Sequence, residues 1–150
     1  SRLFRASFQE LKLVKLTEEI QLCQHYLAIE KVRLGSRLDV EWNIQQPEQL
    51  HQVMIPLLTL QPLLENCIFH GVEKKQANAK IVILVEILQN QVTIVITNPF
   101  ILDKMESRES HGIAVENVKQ RLKAHFFFFL QFRNHAGNGI FTTVLQYQYK

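Results

Sequence analysis

Two apolar runs, at 81–88 and 92–97, separated only by Gln89, Asn90 and Gln91, constrain the fold more than any other feature of this chain. Both are β-rich, and the polar interval is the length of a tight turn, so the pair reads as a β-hairpin. The first run, IVILVEIL, is apolar on both faces. A strand without a polar side belongs in the middle of a sheet, and the remaining segments must be arranged around it.

Three further segments have strand patterns. Residues 38–44 alternate, with Leu38, Val40, Trp42 and Ile44 on one side. Residues 128–132 and 141–147 form a closing pair around a turn at 136–139, and the four-phenylalanine run is strand and core. Between the strands lie helical patterns. Residues 3–14 are loosely helical, with Phe4, Phe8 and Leu11 on one face. A clearer helix follows, capped by Thr17, with Glu18 and Glu19 suited to the positive end of its dipole. Its apolar stripe is Ile20, Cys23, Leu27 and Leu34, and Gly35 ends it, while Glu30, Lys31 and Arg33 face water.

Another helical stretch begins at Pro56, runs to His70 and is closed by Gly71. Leu57, Leu58, Leu60, Leu63, Leu64, Cys67 and Ile68 cover so much of it that it must be largely buried, and Pro62 either kinks it or marks its true start. A last helix, with Val115, Val118, Leu122 and Phe126 on one face, follows a polar loop at 103–111. Paired strands with helices between them specify an α+β, two-layer sandwich: one mixed sheet covered by helices on one face. A boundary falls near Gly35, dividing a helical portion over residues 1–35 from the sandwich over 36–150.

Totals narrow the function classes. At 150 residues the chain fits one domain, and opening on Ser1 it reads as a piece of something longer. Seventeen basic against 14 acidic side chains leave a net charge of +3, scattered along the chain, which argues against direct nucleic-acid binding. No apolar run approaches a membrane span, so any such segment is expected outside this fragment. Cys23 and Cys67 sit in apolar helical patterns and read as buried, reduced thiols. The six histidines show no zinc-site spacing.

Two segments could carry chemistry. The first is QPLLENCIFHG at 61–71, which sets Glu65, Asn66 and His70 on an otherwise buried helix. Asn66 and His70, four apart, share a face. An amide oxygen is a hard ligand suited to Mg²⁺ beside phosphate oxygens, although such residues would equally serve to satisfy neighbouring backbone. The second is SHGIAVEN at 110–117, where Gly112 precedes a helix start whose free N–H groups attract phosphate. Alone, one glycine before a helix is also an ordinary connection.

Taken together, the segments resemble the LytS/AlgZ-type sensor histidine kinases of the GHKL ATPase superfamily. LTEEI at 16–20, YLAIEKVR at 26–33 and Arg37-Leu38 look like the linker helix from the phosphoacceptor region. Residues 61–71 look like the N box, and 111–122, with Asn117 and Arg121, like the G2 box.

The resemblance implies a Bergerat-type ATPase fold in which Asn66 coordinates the Mg²⁺ that bridges the ATP phosphates. Glu65 would orient a water or assist proton removal, and His70 would lie near the phosphates or ribose. Asn98 falls where the superfamily has an Asp contacting the adenine amino group. Gly112 would border the triphosphate beneath a lid over residues 100–111, Asn117 would belong to the same nucleotide site, and Thr142 or Thr143 would line the adenine pocket.

It also implies a cytoplasmic domain of a bacterial inner-membrane protein, homodimeric at full length. That protein would pass the ATP γ-phosphoryl group to an upstream histidine, absent here, and thence to a response regulator of the LytTR type. Asn98, Pro99, Phe100, Ala114 and Phe69 depart from the common pattern and imply weaker ATP binding. They also leave open a second reading, a non-enzymatic module that keeps the fold and signals by docking.

Overall fold

The computed structural model describes residues 12–72, 78–99, 116–120, 131–137 and 139–148. In chain order the elements are β1 (Leu13–Lys15), α1 (Leu16–Leu34), a 3₁₀ turn (Gly35–Arg37), β2 (Leu38–Ile44) and a 3₁₀ segment (Pro47–Gln52). Then come β3 (Met54–Pro56), α2 (Leu60–Cys67), a π-type turn (Ile68–Val72), β4 (Ala79–Leu88), β5 (Gln91–Pro99), β6 (Gln131–Gly137) and β7 (Ile140–Gln148). Residues 116–120 are helical.

The main sheet has five strands in the order β2-β4-β5-β7-β6, and β1 pairs antiparallel with β3 in a separate two-stranded ribbon. β2 runs parallel to β4 and the other pairings are antiparallel, so the sheet is mixed as the sequence predicts. The hairpin forms with Leu88 opposite Gln91, leaving Gln89 and Asn90 as a two-residue turn. Both have positive φ, 50° and 68°, the I′ geometry that matches the twist of the flanking strands.

One face of the sheet is covered. Ile81, Ile83 and Val85 on β4, Ile94 and Ile96 on β5, and Leu145 and Tyr147 on β7 are buried there. Against them pack Leu16, Ile20, Cys23 and Leu27 of α1 and Leu60, Leu63, Leu64 and Cys67 of α2, all in one continuous core. Burying each large aliphatic side chain contributes about 1.5–3 kcal/mol relative to leaving it in water. The Tyr147 hydroxyl keeps a partner in this apolar setting by donating to the Met54 carbonyl at 3.0 Å.

Four local expectations are corrected. Residues 13–15, read as the end of a loose helix, are strand, because Val14 turns into the core opposite Ile55. α1 begins at Leu16, so Thr17 lies inside its first turn, and the preceding Lys15 makes no side-chain cap. Pro56 closes β3 rather than opening a helix, and α2 starts at Leu60, which puts Pro62 in its first turn, where a missing N–H costs least. Gly71 lies within the π-type turn instead of after the helix. Gly35 does end α1, with φ 60° and its N–H on the Lys31 carbonyl. Among the described residues no helix is long and apolar enough to cross a membrane.

Candidate functional site

α2 and the turn after it carry the first chemical segment, and both ends of this unit are held from α1. At the start, Thr59 occupies the capping position, but its hydroxyl turns back to the Pro56 carbonyl at 2.6 Å. Glu19, fully buried on α1, does the capping instead. One carboxylate oxygen accepts from the Leu58 N–H at 2.9 Å and the other from the Leu60 N–H at 2.8 Å. A carboxylate suits a helix N-terminus electrostatically, and here it also holds Leu58 at φ 63°, a left-handed conformation that leucine avoids. At the far end, Arg37, just past α1, donates from Nη2 to the Val72 carbonyl at 3.2 Å. The sequence suits Glu19 to the dipole of its own helix, whereas the structure turns it to the start of α2; its apolar neighbour Ile20 and the later buried helix were the available signals.

On α2, Leu63, Leu64 and Cys67 face the core, leaving Glu65 exposed and Asn66 half-buried. Gln61 donates from Nε2 to Glu65 at 3.2 Å, one helical turn away. Beyond Cys67 the backbone widens into the π-type turn, so α-helical spacing no longer relates Asn66 to His70. The His70 side chain lies outside the described residues. Such π distortions inside helices recur at functional sites.

The turn brings Gly71 onto the end of β5. A Cβ at Gly71 would stand 2.2 Å from the Pro99 carbonyl oxygen and 3.0 Å from Asn98 Nδ2, so only glycine permits this approach. Asn98 is buried and held at both ends: Cys67 Sγ donates to its Oδ1 at 3.3 Å, and its Nδ2 donates to the Pro99 carbonyl at 2.7 Å. The structure thus joins the end of α2 to the position 31 residues further along the chain that the sequence singled out.

Strand register sorts the two threonines. Asn98 pairs with Phe141 and Ile96 with Thr143, on the covered face, where Thr143 is buried. Thr142 pairs with Thr97 and lies on the opposite face, so the structure does not bring it together with Asn98. Asn117 is exposed on the 116–120 helical segment, beside a fully buried Val118. Gly112, Ala114, Arg121 and the lid over 100–111 lie outside the described residues.

Both thiols are raised by burial. Cys67 is pushed up to about 12, and Cys23 higher still, with Glu19 and Glu65 adding to the effect of burial there. An unfolded thiol ionises near 9.0. The native thiols therefore contribute stability that is complete below pH 9 and lost as pH rises towards 12. Each should remove about 1.4 kcal/mol per pH unit in that window. Urea midpoints measured from pH 8 to 11 should fall less steeply for Cys67→Ala than for the parent chain.

Among the described residues no group of three or more His, Cys, Asp or Glu side chains could hold a metal. Asn66 carries an amide oxygen, a hard donor of the kind Mg²⁺ accepts beside water and phosphate oxygens. That donor type fits Mg²⁺.

Comparison with known proteins gives the same direction. The family model described as histidine kinase matches residues 1–38. The chain is 30% identical over 118 residues to the sensor histidine kinase YpdA of Escherichia coli K12, covering 73% of this chain and 20% of that protein. It is 29% identical over 164 aligned positions to the sensor histidine kinase/phosphatase LytS of Staphylococcus aureus Mu50, covering 99% of this chain and 28% of that one. The chain thus spans less than a third of the length of these curated relatives.

In fold it is similar to the nucleotide-free catalytic domain of the histidine kinase ThkA, with TM-score 0.66, 12% identity, and 93% of this chain and 97% of that one covered. A complex of ThkA with the response regulator TrrA also matches, with TM-score 0.62, 13% identity, and 93% of this chain and 42% of that one covered. Relatedness over nearly the whole chain, together with this catalytic-domain fold, places the protein among the sensor histidine kinases of the LytS type.

Proposed function

We propose that the chain is the ATP- and Mg²⁺-binding catalytic domain of a two-component sensor histidine kinase, led by a linker over residues 1–35 that includes α1. The reading rests chiefly on one observation. The end of α2 seats on the end of β5 through Cys67, Gly71 and Asn98, with Cys67 one residue along the chain from Asn66. In this reading Asn66 holds the Mg²⁺ through its amide oxygen, and Asn98 accepts from the adenine amino group. Thr143, on the same face of the sheet as Asn98, replaces Thr142 as the threonine lining the base pocket.

His70, Gly112 and Asn117 complete the phosphate side. Glu65, exposed beside them in sequence, orients a water or receives a proton. The chain's own contribution is positioning and neutralising charge, since phosphoryl transfer needs little else from a protein. The bound nucleotide supplies the γ-phosphoryl group, and a histidine outside these 150 residues receives it.

In the longer protein the phosphoryl group passes to an aspartate of a response regulator. The ThkA–TrrA complex supports that class of partner, and we propose the LytTR type, a homodimeric kinase and attachment to a bacterial inner membrane. Titration calorimetry tests the nucleotide site. ATP should bind in the presence of Mg²⁺, and chelation or Asn66→Ala should weaken it by about tenfold or more, the scale on which metal-site partners act. No binding at millimolar ATP, or binding indifferent to Asn66→Ala, would sink the reading.

A further inference from the structure

We infer that Cys67 is a positioning residue for base selectivity: by donating its S–H to Asn98 Oδ1, it fixes the orientation of the carboxamide and so makes the pocket choose adenine over guanine. This rests on the nucleotide site proposed above. A side-chain amide is nearly symmetric in shape but not in chemistry, with an acceptor at one end and a donor at the other. Asn98 is held at both ends, its oxygen by Cys67 at 3.3 Å and its nitrogen by the Pro99 carbonyl at 2.7 Å. Turned over, it would set its oxygen against the Pro99 carbonyl oxygen and its NH₂ against the thiol.

Each of the two bonds uses half of what the group offers. One lone pair on Oδ1 and one N–H on Nδ2 remain, an acceptor beside a donor. That pair can meet the Watson–Crick edge of adenine, taking the exocyclic N–H and giving to ring N1. Guanine in the same place offers an acceptor where adenine has its amino group, and a ring N–H where adenine has a lone pair. It would need the amide reversed. Gly71 packs beside the donor end, where a Cβ would stand 3.0 Å from Nδ2 and crowd it.

The test is calorimetry of MgATP and MgGTP against the parent chain, Cys67→Ser and Cys67→Ala. The parent should prefer ATP. Serine, which keeps a donor, should keep the preference, whereas alanine should narrow the ATP:GTP affinity ratio by about five- to tenfold, the scale of one hydrogen bond. A packing role alone would weaken both nucleotides alike, and an unchanged ratio in Cys67→Ala would overturn the inference while leaving ATP binding intact. A parent chain that binds neither nucleotide would overturn the site reading and this inference with it. A second measurement needs no nucleotide. The Asn98 side-chain NH₂ signals in ¹⁵N-resolved spectra should shift in Cys67→Ala and return in Cys67→Ser, and signals identical in all three chains would equally overturn the inference.

Discussion

Glu19→Ala is expected to lower the unfolding free energy by about 2–3 kcal/mol, because it strands two backbone donors at once. The Leu60 N–H is buried and the Leu58 N–H partly so, and each has Glu19 as its acceptor across 41 and 39 residues of chain. Alanine leaves both without that acceptor, creates a cavity at a fully buried position, and releases Leu58 from its left-handed conformation. Glu19→Gln should fall between, since one amide oxygen can serve one donor. Urea denaturation at neutral pH reads the difference. A change within about 0.5 kcal/mol, the size expected for an ordinary surface substitution, would mean the carboxylate is not the cap. The consequence reaches function, because the capped helix is the one that carries Glu65 and Asn66.

Gly71→Ala should act at the other end of the same unit, and on both stability and binding. The new methyl would meet the Pro99 carbonyl oxygen at 2.2 Å and the carbonyl carbon at 3.4 Å. The obstruction is strand backbone and cannot rotate aside, so either the π-type turn or the end of β5 must move. Overpacking of this kind costs about 1–3 kcal/mol. The movement also displaces Asn98, and ATP affinity should drop about tenfold or more, since small misplacements of binding groups are expensive. Gly35→Ala is the matched control. It has φ +60° but nothing within 4 Å of a new Cβ, so it should cost about 1 kcal/mol in stability and leave nucleotide affinity unchanged. Equal nucleotide affinity in Gly71→Ala and the parent would contradict the junction as the binding site.

The parts of the fold that could be read from the sequence are those where a periodic pattern is long. β4 and β5 are β-rich over enough residues, and close enough in sequence, to read as a hairpin, although the turn is one residue shorter than the polar interval. β1 and β3 were invisible because three residues carry no period, and they exist only because each finds the other across 41 positions of chain. Pro56 illustrates the same limit. Proline suits a strand end and a helix start equally, and the choice was made by the β1 partner.

The site was legible as residue types at family spacing, not as contacts. Asn66 and Asn98 could be singled out, but nothing local announces that Cys67 reaches Asn98, or that Glu19 leaves the solvent to cap another helix. The choice between Thr142 and Thr143 is a matter of strand parity, and one residue of register moves a side chain to the other face. Only the pairing of β5 with β7 shows which of the two shares a face with Asn98.

If Asn66 and its neighbours present ATP for transfer to a histidine, labelling of the longer protein will show it. Incubated with Mg²⁺ and ATP carrying a radiolabelled γ-phosphate, it should acquire an acid-labile, base-stable label on a histidine outside these 150 residues, and Asn66→Ala should abolish that label. A protein that stays unlabelled, or one that labels equally well with Asn66→Ala, would contradict it.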